Sequence, residues 1–230
     1  MRALHPVLER LRGGLVVSCQ ARPGHPLRDP ARILAMAEAA AAGGAAGLRL
    51  AGEEDIRVVR AALDLPIIGL RKVTSSGFPV YITPTLEDAR AVVEAGADLV
   101  AVDATARPRP GGVAAAALIA AVRAQLDRPV LADVSTVAEG VAAAAAGADA
   151  VATTLAGYTG PGAPPEEPDV ALVEALVERV EVPVIAEGRY RTPQEVARAF
   201  QAGAFAVVVG RAITDPVHLT RRFVAATPRR

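Results

Sequence analysis

Cysteine is almost absent from this sequence of 230 residues, with Cys19 as its single example. One cysteine excludes an internal disulfide and a zinc cluster built from several cysteines, and it is what a reducing compartment permits. The N-terminal stretch MRALHPVLERLRGG also lacks the continuous apolar run and the small-residue cleavage site of a secretory signal. We therefore expect a cytoplasmic protein.

An excess of charge of either sign is also missing, because 25 Lys and Arg residues balance 25 Asp and Glu residues. Without a basic surplus, neither nucleic acid nor an anionic membrane surface is an expected partner. The most apolar stretch, residues 113–122, is far shorter than the ~20 residues that a membrane-spanning helix needs. A small neutral or anionic metabolite is therefore the expected ligand.

Metal-binding and dinucleotide-binding motifs are missing as well. The histidines His5, His25 and His218 stand far apart, in expected loops or at a helix start, so we predict surface residues that bind no metal. No G-x-G-x-x-G motif follows the first apolar run, as a dinucleotide-binding domain would require. We expect neither a metal nor another cofactor.

Two interleaved repeats form the strongest pattern that is present. In the first, a helix-like segment ends at a glycine and an apolar run follows, at intervals of roughly 50 residues. This pattern predicts a left-handed backbone at each glycine and a strand buried on both faces after it. The glycines are Gly44, Gly96, Gly147 and Gly203.

The second repeat consists of the apolar runs LVVSCQ, LPIIGLRK, RPVLADVS and VPVIAEGR, which lie between those of the first. Three of them open with an X-Pro pair, at Pro66, Pro129 or Pro183, where the first residue of a strand can dispense with its amide donor. Helical segments such as 30–42, 86–94 and 193–201 separate the runs.

Eight apolar strands that alternate with helices predict a single α/β domain over residues 1–230, a (β/α)8 TIM barrel with eight parallel strands. A doubly wound open sheet is the alternative. We favour the barrel because both repeats continue evenly to the C-terminus.

Polar residues close most of the apolar runs, and in a barrel of this kind the carboxyl ends of the strands form the active site. Taken singly, such residues could equally be ion pairs that brace the rim. Eight strands that converge on one mouth favour a functional site. The residues are Gln20, Arg49, Lys72, Asp103, Asp133, Thr153 with Thr154, Glu187, and Gly210 with Arg211.

Lys72 and Glu187 are the candidate acid and base. A lysine in apolar surroundings loses solvation, which lowers its pKa, and Glu187 follows a strand on the opposite side of the predicted barrel. Two such groups can remove a proton from one face of a carbon and return it to the other, as an epimerase requires. Asp133 between them could set the protonation of Lys72, although ion pairing with Asp133 or Glu187 would be a structural role for the lysine.

Two Gly-Arg pairs, Gly188-Arg189 and Gly210-Arg211, close the seventh and eighth strands. Barrels commonly bind phosphate there through glycine amides and the N-terminus of a short helix. The pairs therefore predict a phosphorylated substrate, with exposed arginines in ordinary turns as the alternative. The Gly- and Pro-rich segment 157–169 is predicted to be a long loop or a mobile lid beside the mouth.

The motifs SCQARPGHPL, PIIGLRK, TTLAGYT, IAEGRYRTP and VVVGRAIT resemble those of the N-acetylmannosamine-6-phosphate 2-epimerase family, nearly end to end. The resemblance implies cofactor-independent epimerisation at C2 of N-acetylmannosamine 6-phosphate to N-acetylglucosamine 6-phosphate, in amino-sugar and sialic acid catabolism. It implies Lys72 and Glu187 as the acid/base pair, with Asp133 and Arg49 positioning them. It also implies that Asp133 and Arg49 position the sugar and that Gln20 contacts the substrate, and we expect Arg49, Thr153 and Tyr158 to bind the substrate as well.

One departure from the family lies at the eighth strand, where the resemblance implies a phosphate-facing arginine but Asp215 stands, and where Arg211 replaces a small residue. Asp215 precedes Pro216, which is the pattern of a helix N-cap followed by proline at the first helical position. Our hypothesis is that Arg211 binds the phosphate and Asp215 caps a helix. The alternative is an outward Arg211 and weaker phosphate binding.

Two other functions stay open at this point. A Schiff-base aldolase or a synthase on the same barrel would use Lys72 as a nucleophile. A non-catalytic sugar-phosphate binder would keep the mouth without turnover. The sequence does not determine the oligomeric state, and a homodimer is compatible with it.

Overall fold

The eight apolar runs form eight strands in the computed structural model, which describes residues 4–228. All strands are parallel, each pairs with its successor in chain order, and the last pairs back onto the first. The closed ring confirms the (β/α)8 barrel and excludes the open doubly wound sheet. The strands are β1 (Leu15–Cys19), β2 (Gly47–Ala51), β3 (Ile67–Leu70), β4 (Leu99–Asp103), β5 (Val130–Asp133), β6 (Ala150–Ala152), β7 (Val184–Glu187) and β8 (Ala206–Val209).

Helices surround this ring, and the three segments predicted by number are helical with the expected bounds. Two helices also follow β8, and the second begins at Pro216, as the capping pattern at Asp215 predicted. The helices within residues 4–228 are α1 (Pro6–Glu9), α2 (Pro30–Ala42), α3 (Glu53–Ala62), α4 (Leu86–Glu94), α5 (Ala115–Leu126), α6 (Val137–Ala145), α7 (Val170–Val177), α8 (Pro193–Gln201), α9 (Arg211–Thr214) and α10 (Pro216–Ala225).

Glycine and proline mark the strand starts for the physical reasons that the sequence indicated. Gly44, Gly96, Gly147 and Gly203 have φ angles of +88°, +110°, +95° and +90°, a left-handed conformation that favours glycine. Each of the three prolines stands one residue before its strand. There it supplies only a carbonyl to the neighbouring strand: Leu48 N–H donates to the Pro66 oxygen at 2.8 Å.

The inside of the barrel is apolar, and α1 covers its lower end. Side chains such as Leu99 and Ile185 are fully buried there, and Leu8 of α1 and Leu11 join the same cluster. A second apolar layer lies between the sheet and the helices. Because the lower end is covered, the carboxyl ends of the strands form the accessible end of the barrel.

Among the described residues, no helix is long and apolar enough to pass through a membrane.

Candidate active site

A cavity of about 390 Å³ opens at the carboxyl ends of the strands, and we call it the mouth cavity. Its lining comes from the carboxyl ends of β1, β2, β3, β7 and β8 and from the loops that follow β1, β3, β6, β7 and β8, as the barrel prediction requires. Positive charge predominates, which suits an anionic ligand. The cationic side chains are Arg22, Arg49, Lys72, Arg189, Arg191 and Arg211, and the acidic ones are Glu187 and Asp215.

Arg49 lies at the centre of the charged floor of this cavity. Its guanidinium is 1% exposed and binds Asp133 through two hydrogen bonds, of 2.6 Å and 3.1 Å. A third bond of 2.5 Å joins Arg49 to Glu187 Oε2. A charge in the barrel interior must be paired, and Arg49 is paired with two carboxylates, from β5 and β7. These hydrogen bonds hold both carboxylates in fixed positions.

Asp133 is fully buried and does not line the mouth cavity. Its direct partners are Arg49 and the hydroxyl of Thr154, which donates to Asp133 at 2.6 Å. The charge of Asp133 still acts on Lys72, as expected, and opposes the lowering of the Lys72 pKa by burial and by Arg49. Asp133 is a positioning residue beneath the cavity, because a substrate in the cavity cannot touch it.

Glu187 is the carboxylate that reaches the cavity, with a side chain 14% exposed. Burial raises its pKa to about 7; Arg49 opposes this rise, and Asp133 adds to it. The hydroxyl of Thr154 donates to Glu187 Oε2 at 3.1 Å and also favours the charged form. Glu187 can therefore exist in both protonation states near neutral pH.

Thr154, and not Thr153, faces these carboxylates. The hydroxyl of Thr153 is buried and bonds to the backbone of Glu187, donating to its carbonyl at 2.9 Å and accepting from its amide at 3.0 Å. This arrangement ties the end of β6 to the end of β7. Thr154 lines the mouth cavity and Thr153 does not, so the structure does not place Thr153 where its predicted substrate contact requires it.

Lys72 lines the mouth cavity from a hairpin that the sequence analysis did not predict. The chain after β3 turns back on itself, with Lys72 bridged antiparallel to Ile82 and Val73 N–H donating to the Tyr81 carbonyl at 2.9 Å. Surrounding protein lowers the pKa of Lys72 by displacing water, and the charge of Arg49 lowers it further. Solvent still reaches the side chain through the open mouth.

Lys72 and Glu187 stand on opposite sides of the cavity. β3 and β7 are four strands apart in a ring of eight, so the residues that follow them lie across the mouth from each other. Tyr81, on the hairpin of Lys72, also lines the cavity, and burial raises the pKa of its phenol, with Asp133 adding to the rise. The sequence analysis missed Tyr81 because its hairpin belongs to neither of the two repeats that revealed the strands.

Arg189 is engaged with the chain itself. Its guanidinium donates to the carbonyls of Glu167, at 2.6 Å, and Ala156, and it lies over the Tyr158 ring with 5.4 Å to the ring centroid. Arg189 thereby fastens the loop 157–169 to the rim of the cavity. Tyr158 lines the cavity as expected, whereas the phosphate contact predicted for Arg189 competes with these bonds.

The turn after β8 forms the short helix α9, which begins at Arg211 with Gly210 as its N-cap. Arg211 is exposed and lines the mouth cavity, together with Gly188 and Gly210. Asp215 caps α10: its Oδ1 accepts from His218 N–H at 2.8 Å, with Pro216 at the first helical position. The capping half of the hypothesis is confirmed, and the phosphate half stays a prediction.

Two histidines belong to the site, so the prediction that they are surface residues away from the strand ends is wrong. His25 and His218 line the mouth cavity, and His25 Nε2 lies 3.2 Å from Asp215 Oδ1. His25 is 190 positions from Asp215, and no local pattern could reveal such a contact. His5 is exposed and caps α1, as a surface residue should.

The remaining strand-end residues divide between the cavity and its surroundings. Gln20 lines the cavity and donates to Ser18 at 2.9 Å, whereas Asp103 is buried outside it and binds Thr105 and Arg107. Between residues 4 and 228, no group of three or more His, Cys, Asp or Glu side chains is placed to hold a metal ion. Independence of a metal stays a prediction.

Comparison with known proteins identifies similar sequences along nearly the whole chain. The family model described as "Putative N-acetylmannosamine-6-phosphate epimerase" matches residues 33–229. One relative is the "Putative N-acetylmannosamine-6-phosphate 2-epimerase" of Caldanaerobacter subterraneus subsp. tengcongensis. It is 46% identical to this chain over 219 residues, which cover 95% of this chain and 92% of the relative. A bifunctional enzyme NanE/NanK from Brucella melitensis is 49% identical, over 96% of this chain and 42% of that larger protein.

Solved structures give the same result at the level of the fold. The N-acetylmannosamine-6-phosphate 2-epimerase from Clostridium perfringens has a TM-score of 0.93 and 39% identity, with 99% of each chain covered. The thiamine phosphate pyrophosphorylase from Pyrococcus furiosus, at a TM-score of 0.59 and 19% identity, shares the fold alone. The resemblance that the sequence motifs indicated is confirmed.

Proposed function

Because this chain belongs to the N-acetylmannosamine-6-phosphate epimerase family, we propose that it interconverts N-acetylmannosamine 6-phosphate and N-acetylglucosamine 6-phosphate. The two sugars differ only in configuration at C2. In the open-chain form the aldehyde at C1 makes the C2 hydrogen acidic, so the reaction needs a base on one face and an acid on the other. The pathway that we propose for it is amino-sugar and sialic acid catabolism.

Lys72 and Glu187 are the proton-transfer residues in this proposal. One abstracts the C2 proton and leaves an enolate-like intermediate, and the other delivers a proton to the opposite face. Their places across the cavity, Lys72 on the loop after β3 and Glu187 at the end of β7, supply the two faces. The reverse reaction exchanges their roles.

The protonation states that this exchange needs follow from the surroundings of the two residues. Glu187, with a pKa of about 7, is partly protonated and partly charged at neutral pH. The lowered pKa of Lys72 increases the neutral amine that can act as a base. An acid and a base whose pKa values both move toward neutrality can serve either direction of the reaction.

Three residues hold this pair in place. Arg49 fixes the carboxylate of Glu187 at 2.5 Å, Asp133 anchors Arg49 from beneath, and Thr154 bridges the two carboxylates through its hydroxyl. A carboxylate restrained by two hydrogen bonds loses little freedom on meeting its substrate. These three residues therefore position the reacting group without taking a proton themselves.

The phosphate of the substrate belongs at the ends of β7 and β8. Arg211 and Arg191 line the cavity there, beside the first turn of α9. A dianionic phosphate suits two guanidinium groups and backbone amides at this end of a barrel. We propose Arg211 as the main phosphate ligand, because Arg189 is already bonded to two backbone carbonyls.

The observation that carries the proposal is the placement of Lys72 and Glu187 on opposite sides of one cationic cavity. Its test is to incubate the protein with N-acetylmannosamine 6-phosphate and follow the appearance of the gluco epimer by proton NMR, with and without a chelator. We expect equilibration in both samples. No epimer at micromolar enzyme over hours would contradict the proposal.

Borohydride distinguishes the Schiff-base alternative from this proposal. Reduction in the presence of substrate leaves a stable mass adduct on Lys72 only if the lysine forms an imine, and we expect no adduct. The cytoplasmic location stays a prediction, which localisation measurements check, and sedimentation determines whether the chain forms a homodimer.

A further inference from the structure

Asp215 places a negative charge in the lining of a cavity whose other charges suit an anion. Its side chain is 13% exposed and shares the cavity wall with Arg191 and Arg211. Burial opposes its charge, but the amide of His218 and the ring of His25 outweigh burial and hold the pKa of Asp215 below its ordinary value. A charged carboxylate at this position repels a phosphate unless other groups engage its oxygen atoms.

His25 is the side chain that engages Asp215 from the neighbouring loop. Its Nδ1 accepts a hydrogen bond from Leu27 N–H at 3.1 Å, which requires that nitrogen to be unprotonated. The hydrogen of the neutral ring therefore lies on Nε2, which donates to Asp215 Oδ1 at 3.2 Å. The same oxygen accepts from His218 N–H at 2.8 Å, so two donors hold it against α10.

The contact also joins two loops that form the wall of the mouth cavity. His25 belongs to the loop 20–29 between β1 and α2, which contributes Gln20 and Arg22 to the lining. Asp215 belongs to the turn between α9 and α10. A second bond, from the Thr214 hydroxyl of α9 to the Ser18 carbonyl of β1 at 2.9 Å, lies beside this contact.

We propose that His25 is a positioning residue of the phosphate subsite, holding the Asp215 carboxylate against α10 and away from the phosphate. This inference rests on the proposed function. Without the ring, Asp215 Oδ1 loses one of its two donors and its charge acts on the phosphate. This change weakens the binding of a phosphate without touching Lys72 or Glu187.

The test is a comparison of His25→Ala with wild type in KM and kcat for N-acetylmannosamine 6-phosphate. We expect KM to rise about tenfold, the order expected for a lost charge-assisted hydrogen bond, with kcat within about twofold. The inhibition constant of inorganic phosphate should rise by a similar factor. His25→Gln should restore most of the affinity, because its amide can donate to Asp215 from nearly the position of Nε2.

His5→Ala is the matched control. His5 makes the same local contact as His25, because its Nδ1 accepts a hydrogen bond from the N–H two residues later, that of Val7, at 3.3 Å. His5 lies at the lower end of the barrel, away from the mouth cavity. Its loss should leave KM and the inhibition by phosphate unchanged. A melting temperature close to that of wild type shows that each variant is folded.

Asp215→Asn separates the action through the carboxylate from a general loosening of the loop. Asparagine still caps α10 but carries no charge, so His25→Ala should raise KM by less than about threefold in this background. An unchanged KM in His25→Ala, or an equal rise in both backgrounds, overturns the inference. If wild type shows no epimerisation, the proposed function fails, and calorimetric titration of phosphate into the same variants still tests His25.

Discussion

Replacing Glu187 by glutamine should change how the stability of the protein depends on pH. In the folded protein burial raises the pKa of Glu187 from 4.5 to about 7, with Arg49 opposing the rise. The folded state therefore binds this proton more tightly than the unfolded chain does. The contribution to stability is fully present below pH 4.5 and is lost as the pH rises through 7.

The shift sets the size of this effect. At about 1.4 kcal/mol for each unit of pKa, the carboxyl of Glu187 weakens folding by about 3 kcal/mol between pH 4 and pH 8. Its side chain is only 14% exposed, so solvent screens little of this energy. Glutamine does not titrate, and the variant should gain stability relative to wild type by this amount over the same range.

Urea unfolding of both proteins, followed by circular dichroism at several pH values from 4 to 8, measures the difference directly. Titrating groups that do not interact with Glu187 cancel in the comparison. Glu94→Gln provides a control, because Glu94 is exposed at the end of α4, and its difference from wild type should stay small. A Glu187→Gln difference that is constant with pH, or that changes in the opposite direction, would refute the account of this carboxyl group.

Further predictions concern the reaction. Lys72→Ala should reduce turnover by about 100-fold or more, since one proton-transfer group is lost, with the circular dichroism spectrum and phosphate binding retained. Thr154→Val removes a hydrogen bond that favours the charged form of Glu187, so the acidic limb of the pH profile of kcat/KM should move to higher pH. An acidic limb at the same or at a lower pH would contradict this. Arg211→Ala should raise KM sharply with little change in melting temperature, whereas Asp215→Ala should cost about 1 kcal/mol of stability with little effect on KM. An unchanged KM in the Arg211 variant would remove it from the phosphate subsite.

The fold could be predicted from the sequence because its signals are local and repeated. A glycine that needs a left-handed backbone, such as Gly96, marks a helix end, and an X-Pro pair, such as that at Pro66, marks a strand start. Eight such units with apolar strands leave few arrangements other than a closed parallel sheet. The acid/base candidates followed because the carboxyl ends of barrel strands meet at one mouth.

The details of the site depend on contacts that no local pattern contains. Thr153 and Thr154 are adjacent in sequence, and only the turn after β6 decides which one faces Asp133. Arg189 follows Gly188 as a phosphate ligand would, but its guanidinium is bonded to the carbonyls of Glu167 and Ala156, which no local pattern indicates. The bond of His25 to a residue 190 positions away depends on closure of the barrel, which brings β1 beside β8.

The central claim is that Lys72 and Glu187 act on opposite faces of C2, and exchange of the C2 hydrogen in deuterated buffer tests it most directly. Each epimer is incubated with Lys72→Ala and with Glu187→Ala, and proton NMR follows the C2 signal. The account predicts that neither variant epimerises, and that each still exchanges the hydrogen of one epimer, a different epimer for each variant. Loss of exchange from both epimers in one variant, with normal exchange in the other, would show that a single residue moves both protons and would contradict it.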